Sequence, residues 1–122
     1  MQFETLLRKS LREEMAQVLV QVVTSSKESL REKIINDAKL SDYGLELVSK
    51  KSPRRPSGWT KLHSKYGAYG AINVQWFDDA AVLLCRVVTK GRGKPDLIIG
   101  DFIWYLLGRH SRVIESIQII PR

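Results

Sequence analysis

Six cations and three aromatic rings fall within residues 50–69: Lys50, Lys51, Arg54, Arg55, Lys61 and Lys65 are interleaved with Trp59, Tyr66 and Tyr69. Cations neutralise phosphates and release their condensed counterions, while aromatic faces stack unpaired bases for about 1–3 kcal/mol each. The mixture predicts a surface for single-stranded or distorted nucleic acid, DNA or RNA, with the six cations on phosphates and Trp59 and Tyr66 stacking or wedging. A solubilising loop whose aromatics turn into the core is the competing expectation.

A second basic stretch, Lys90-Gly91-Arg92-Gly93-Lys94-Pro95, offers backbone amides and three cations beside a predicted helix start, where anions are favoured. Lys90, Arg92 and Lys94 would extend the phosphate track. A Walker loop is absent. Arg92-Gly93-Lys94-Pro95 resembles the core of an AT-hook, a minor-groove peptide, although here it is clamped between a strand and a helix. A plain strand-to-helix turn is the alternative.

The charge distribution agrees with a directed surface. The chain of 122 residues carries a formal net charge of +7. Through residue 46, eight acids face seven bases, leaving −1, so residues 47–122 hold +8. Such an excess points to a polyanion partner and leaves the fold undetermined.

Residues able to do bond chemistry are sparse, and none is assigned a catalytic role. His63 and His110 are too isolated for a metal site, and no metal or cofactor is expected; His110 could touch phosphate beside Arg109 and Arg112. Asp78 and Asp79 could supply one carboxylate of a metal-dependent nuclease, because the predicted element order resembles the αβββαβ core of PD-(D/E)xK enzymes. The strand after them, Ala-Val-Leu-Leu-Cys-Arg, lacks the acid and lysine of that motif. Asp101 lies among apolar neighbours, and Arg86 is a candidate counterion for it.

Cys85 is the single cysteine, in an apolar run, so no disulfide framework forms within one chain and a cytoplasmic protein is expected. No segment reaches the roughly 18 apolar residues that span a bilayer, and no signal-peptide pattern opens the chain, so no membrane partner is expected.

The elements that must position these residues follow from periodicity. Phe3, Leu7, Leu11, Met15, Val18 and Val22 recur at three- and four-residue spacing and predict an amphipathic helix over residues 2–23. Ser25 and Glu28 fit a capping box that restarts a helix bearing Leu30, Ile34 and Ala38. Asp42-Tyr43-Gly44 is a stop, and residues 45–48 suit a short strand. Residues 59–70 read as an exposed edge strand or ordered loop. Residues 71–77 and 80–89 predict a β-hairpin around Asp78-Asp79, its second strand apolar on both faces and therefore central. Residues 95–107 predict a helix apolar nearly all round, with Pro95 in its first turn and Gly108 as its stop. Val113, Ile117, Ile119 and Ile120 predict a last strand.

The expected fold is α+β in a single domain over 1–122: a helical arm or hairpin (1–40), then a basic β-rich part (44–122) with a mainly antiparallel sheet of three to five strands and a late helix (95–108) packed on it. The expected function is nucleic-acid binding without catalysis. A structural or assembly protein with an acidic protein partner is the alternative, followed by the nuclease. The first and last helices carry more apolar surface than so small a sheet covers, which predicts a homodimer.

Overall fold

The computed structural model describes residues 16–48, 59–65, 70–89 and 94–121. Six strands form one sheet: β1 (Ala16–Thr24), β2 (Leu45–Leu47), β3 (Trp59–Ser64), β4 (Ala71–Phe77), β5 (Val82–Thr89) and β6 (Ile114–Pro121), in the spatial order β2-β3-β4-β5-β1-β6. Every neighbouring pair is antiparallel. Two helices, α1 (Leu30–Ile35) and α2 (Pro95–His110), and a 3-10 turn at Leu40–Tyr43 complete the described chain.

The first element is a correction. Residues 16–23, expected to end a long helix, are a strand held between β5 and β6. Val18 and Val22 fit a period of two as well as one of 3.6, Val20 completes the alternation of a strand, and Leu19 and Val23 make the run apolar on both sides. The β-branched valines then favour the strand, where they pack on a pleated surface. Residues 2–15 of the expected helix lie outside the described residues. The sheet has six strands rather than three to five, because β1 joins the five segments whose sequence favoured strands.

The hairpin of β4 and β5 forms as expected, closed by a turn at residues 78–81. Ala81 has φ 53°, unusual for a residue with a Cβ. Its carbonyl accepts from both the Thr24 amide (2.9 Å) and the Thr24 hydroxyl (3.1 Å), which pins the turn to β1. β5 is central, as its two apolar faces require. β3 is an inner strand along residues 62–64, where β2 pairs with it, so its sequence resembles an edge without forming one there.

Alternation sorts the sheet into two faces. Val18, Val20, Val22, Leu62, Ile72, Val74, Leu83, Cys85 and Val87 are buried on one face. Leu30 and Ile34 of α1 and Ile98, Phe102, Tyr105 and Leu106 of α2 pack with them in a single core. Both helices therefore cover the same side.

Helix boundaries differ from the sequence expectation for specific reasons. The N-cap of α1 is Ser29, whose hydroxyl accepts from the Glu32 amide at 3.2 Å, not Ser25. The helix stops at Asn36, leaving Ala38 outside it. At the other end, α2 runs through Gly108 to His110. Gly108 is a contact position: a Cβ there would lie 2.5 Å from the Tyr43 hydroxyl oxygen. The true turn glycine is Gly44, at φ 80° after the 3-10 turn.

Candidate nucleic-acid interface

The sheet face opposite the helices carries a different set of side chains, and among the described residues no element lies over it. Registered pairs place Lys61 beside Asn73, Asn73 beside Arg86, and Arg86 beside Leu19. The next row toward the hairpin runs Trp59, Gln75, Leu84, Gln21 and Gln118. The Arg86 guanidinium sits over the Trp59 ring, 5.6 Å from its centroid, so two strands' distance is bridged by a cation–π contact. At the margin, His63 on β3 meets Glu46 on β2 at 3.1 Å.

Toward the hairpin the same face sinks into an open cleft of about 570 Å³ lined by Gln21, Phe77, Val82, Leu84 and the turn residues 78–80. Asp78 and Asp79 lie on this rim. The Asp78 carboxylate accepts from the Trp76 indole at 2.6 Å, which gives it a partner within its own hairpin. Among the described residues no group of three or more His, Cys, Asp or Glu side chains is placed to hold a metal ion.

Of the predicted contact residues, Trp59 and Lys61 meet on this open face. Lys65 follows in the exposed turn after β3, its backbone amide donating to the Gly44 carbonyl at 2.8 Å. Lys94 is the exposed residue before α2, the helix that covers the opposite face. Lys50, Lys51, Arg54, Arg55, Tyr66, Lys90 and Arg92 lie outside the described residues. Two of the basic connections, 65–70 and 89–94, spring from the same end of the sheet: a Cβ at Gly70 would touch the Thr89 methyl group and the Val88 carbonyl at 3.1 Å.

Arg86 is the residue that sequence reasoning misplaced. It is no counterion for Asp101, because α2 packs on the face that Cys85 and Val87 occupy while Arg86 points the other way. The signal was present in the alternation of β5: Leu83, Cys85 and Val87 inward forces Leu84, Arg86 and Val88 outward.

A second polar cluster lies at the C-terminal end of α2, and its chemistry is structural. Asp37, with only 5% of its side chain exposed, accepts from Arg109 Nε and Nη2 (both 3.1 Å), the Lys39 amide (3.0 Å) and the Tyr105 hydroxyl (2.9 Å). Burial opposes the charge on Asp37, but Arg109, the Lys39 amide and Tyr105 outweigh it and hold the carboxyl at about 2. The Tyr105 oxygen also meets His110 Nε2 at 2.8 Å. With its one proton given to Asp37, Tyr105 can accept from His110 Nε2–H, so a neutral histidine satisfies the chain of bonds. Burial lowers the His110 pKa in the same sense. His110 is thus committed inside the protein rather than beside Arg112 on a phosphate.

No family model, curated protein or solved structure matches the chain. No described helix is long and apolar enough to cross a membrane.

Proposed function

We propose that the protein binds single-stranded or distorted nucleic acid, without catalysing its reaction, on the open face of the sheet and the basic connections around it. The observation that carries this reading is the meeting of Trp59 and Lys61 from β3 with Arg86 from β5 on a face that no described element covers, in a chain whose excess of +8 lies wholly from residue 47 onward. The Trp59 ring supplies a stacking surface, Lys61 and Arg86 supply phosphate contacts, and Asn73, Gln75, Gln21 and Gln118 supply amide donors and acceptors for base edges. Further phosphate contacts are assigned to Lys65 and Lys94 and, outside the described residues, to Lys50, Lys51, Arg54, Arg55, Lys90 and Arg92, with Tyr66 as a second stacking ring.

Fluorescence anisotropy with single-stranded DNA, single-stranded RNA and duplex oligonucleotides tests the proposal. Trp59→Ala is expected to weaken single-strand binding by about 1–3 kcal/mol. The double substitution Lys61→Ala, Arg86→Ala should lower the salt slope by about 1.4, at roughly 0.7 per phosphate contact on a single strand. Replacing Arg54 and Arg55 together by Ala should weaken binding without unfolding the protein. Binding unchanged by all three sets of substitutions would sink the proposal.

A further inference from the structure

The cleft at the hairpin end of the open face joins apolar walls to an acid, beside a platform that carries cations. Phe77, Val82 and Leu84 make the apolar part of its lining, and Gln21 and Asp79 are polar members. Its volume of about 570 Å³ lies within the range of small-ligand sites. Phe77 is 41% exposed, so an aromatic ring is offered to whatever enters.

The cleft continues the platform of Trp59 and Arg86. Leu84 and Gln21 belong to the same row as Trp59 and Gln75. Trp59 is registered with Gln75, and Phe77 lies two residues further along β4 on the same face. The two aromatic residues are therefore diagonal neighbours, about 7–8 Å apart at their Cα atoms. A strand laid across the face can set one base on Trp59 and the adjacent base in the cleft.

The polar groups say which part of a nucleotide enters. Carboxylates repel phosphate, which leaves the backbone to Lys61 and Arg86 and the cleft to a base. Asp78 is engaged by the Trp76 indole, whereas Asp79 is exposed and has no hydrogen-bond or ion-pair partner among the described residues. An ionised carboxylate accepts and does not donate. Guanine alone carries two adjacent donors, N1–H and N2–H, on its Watson–Crick edge. Adenine, cytosine, thymine and uracil each mix donors with acceptors there, and would set a lone pair against the carboxylate. We infer that the cleft is a guanine site: Phe77 stacks the ring, the two Asp79 carboxylate oxygens accept from N1–H and N2–H, and the Gln21 amide donates to O6. The site rests on the nucleic-acid reading of the open face and adds to it the base that is read.

Fluorescence anisotropy of the full chain is the test, on strands of about ten thymidines whose central base is thymine, guanine, adenine, cytosine or hypoxanthine. The guanine strand should bind roughly 5- to 150-fold more tightly than the thymine, adenine and cytosine strands. The hypoxanthine strand, which lacks only the N2 amino group, should fall between. Asp79→Ala should erase the guanine advantage while affinity for the all-thymine strand holds or rises, a pattern that misfolding cannot produce. Equal affinity for all five strands overturns the guanine site and leaves the nucleic-acid reading standing. A guanine advantage that survives Asp79→Ala, or a loss shared by every strand, also overturns it. A chain that binds none of the strands sinks both readings.

Discussion

Asp37 joins two parts of the chain that share no backbone pairing, the connection after α1 and the last turn of α2. Its carboxyl is held at about 2, below the 3.8 of an unperturbed aspartate, so the unfolded chain binds its proton more readily than the folded one. The stabilisation is therefore whole above roughly pH 4 and is lost as the pH falls toward 2. His110, also depressed, adds a loss in the same direction that begins nearer its unfolded pKa of about 6.5. Because the Arg109 side chain is 41% exposed, the Asp37 contribution is expected to be only about 1–2 kcal/mol. Urea denaturation at pH 7, 5 and 3 measures it: Asp37→Asn should destabilise at pH 7 and flatten the acid dependence. A mutant with the wild-type slope would show that another carboxylate is responsible. Cys85, by contrast, is buried among apolar side chains that push its thiol pKa up, so it should be inert to thiol reagents in the native state and react only on unfolding.

At the scale of elements, α2 is positioned by one unusual contact. The Tyr43 ring lies against Trp104 and Tyr105 and occupies the space a side chain at position 108 would need. Gly108→Ala should therefore lower stability by about 1 kcal/mol despite alanine's better helix propensity, whereas Gly100→Ala, whose Cβ would meet nothing within 4 Å, should raise it by about 0.5–1 kcal/mol. Thermal melts of the two variants side by side decide it, and equal shifts would contradict the Tyr43 contact. Gly108 read as a helix stop because Gly is common just past helix ends. The actual reason for it, a ring delivered by residues 40–43, has no local signature. β1 departs from the expected helix for a related reason. A run apolar on both sides carries two periods at once, and only its pairing with β5 and β6 selects one.

The described residues form a sheet with one covered and one open face: Trp59, Lys61 and Arg86 lie on the open face, and α2, with its exposed Leu97, Trp104 and Leu107, packs on the other. The proposed nucleic-acid surface at Trp59, Lys61 and Arg86 therefore does not share its face with α2. Binding should fall by about 10-fold or more between 50 and 200 mM salt if several phosphates are contacted. Titrations at four salt concentrations measure the slope. An affinity independent of salt would exclude a phosphate-dominated interface, and a preference for duplex over single strand would argue against stacking on Trp59.

Composition and local pattern alone determined the α+β class, the β4–β5 hairpin, the late helix beginning at Pro95 and the concentration of positive charge after residue 46, because each follows from near-neighbour preferences or from counting. They also marked Trp59 and Lys61 as contact candidates. Tertiary structure decided the rest. It turned residues 16–24 into a central strand, since a doubly apolar run takes its conformation from what flanks it. It placed both helices on one face, which left Arg86 to stack on Trp59 instead of pairing with Asp101. It tied His110 to Tyr105 and Asp37, partners far apart in the chain. In each case the deciding contact joins residues distant in sequence, and distance in sequence is what periodicity and propensity cannot see.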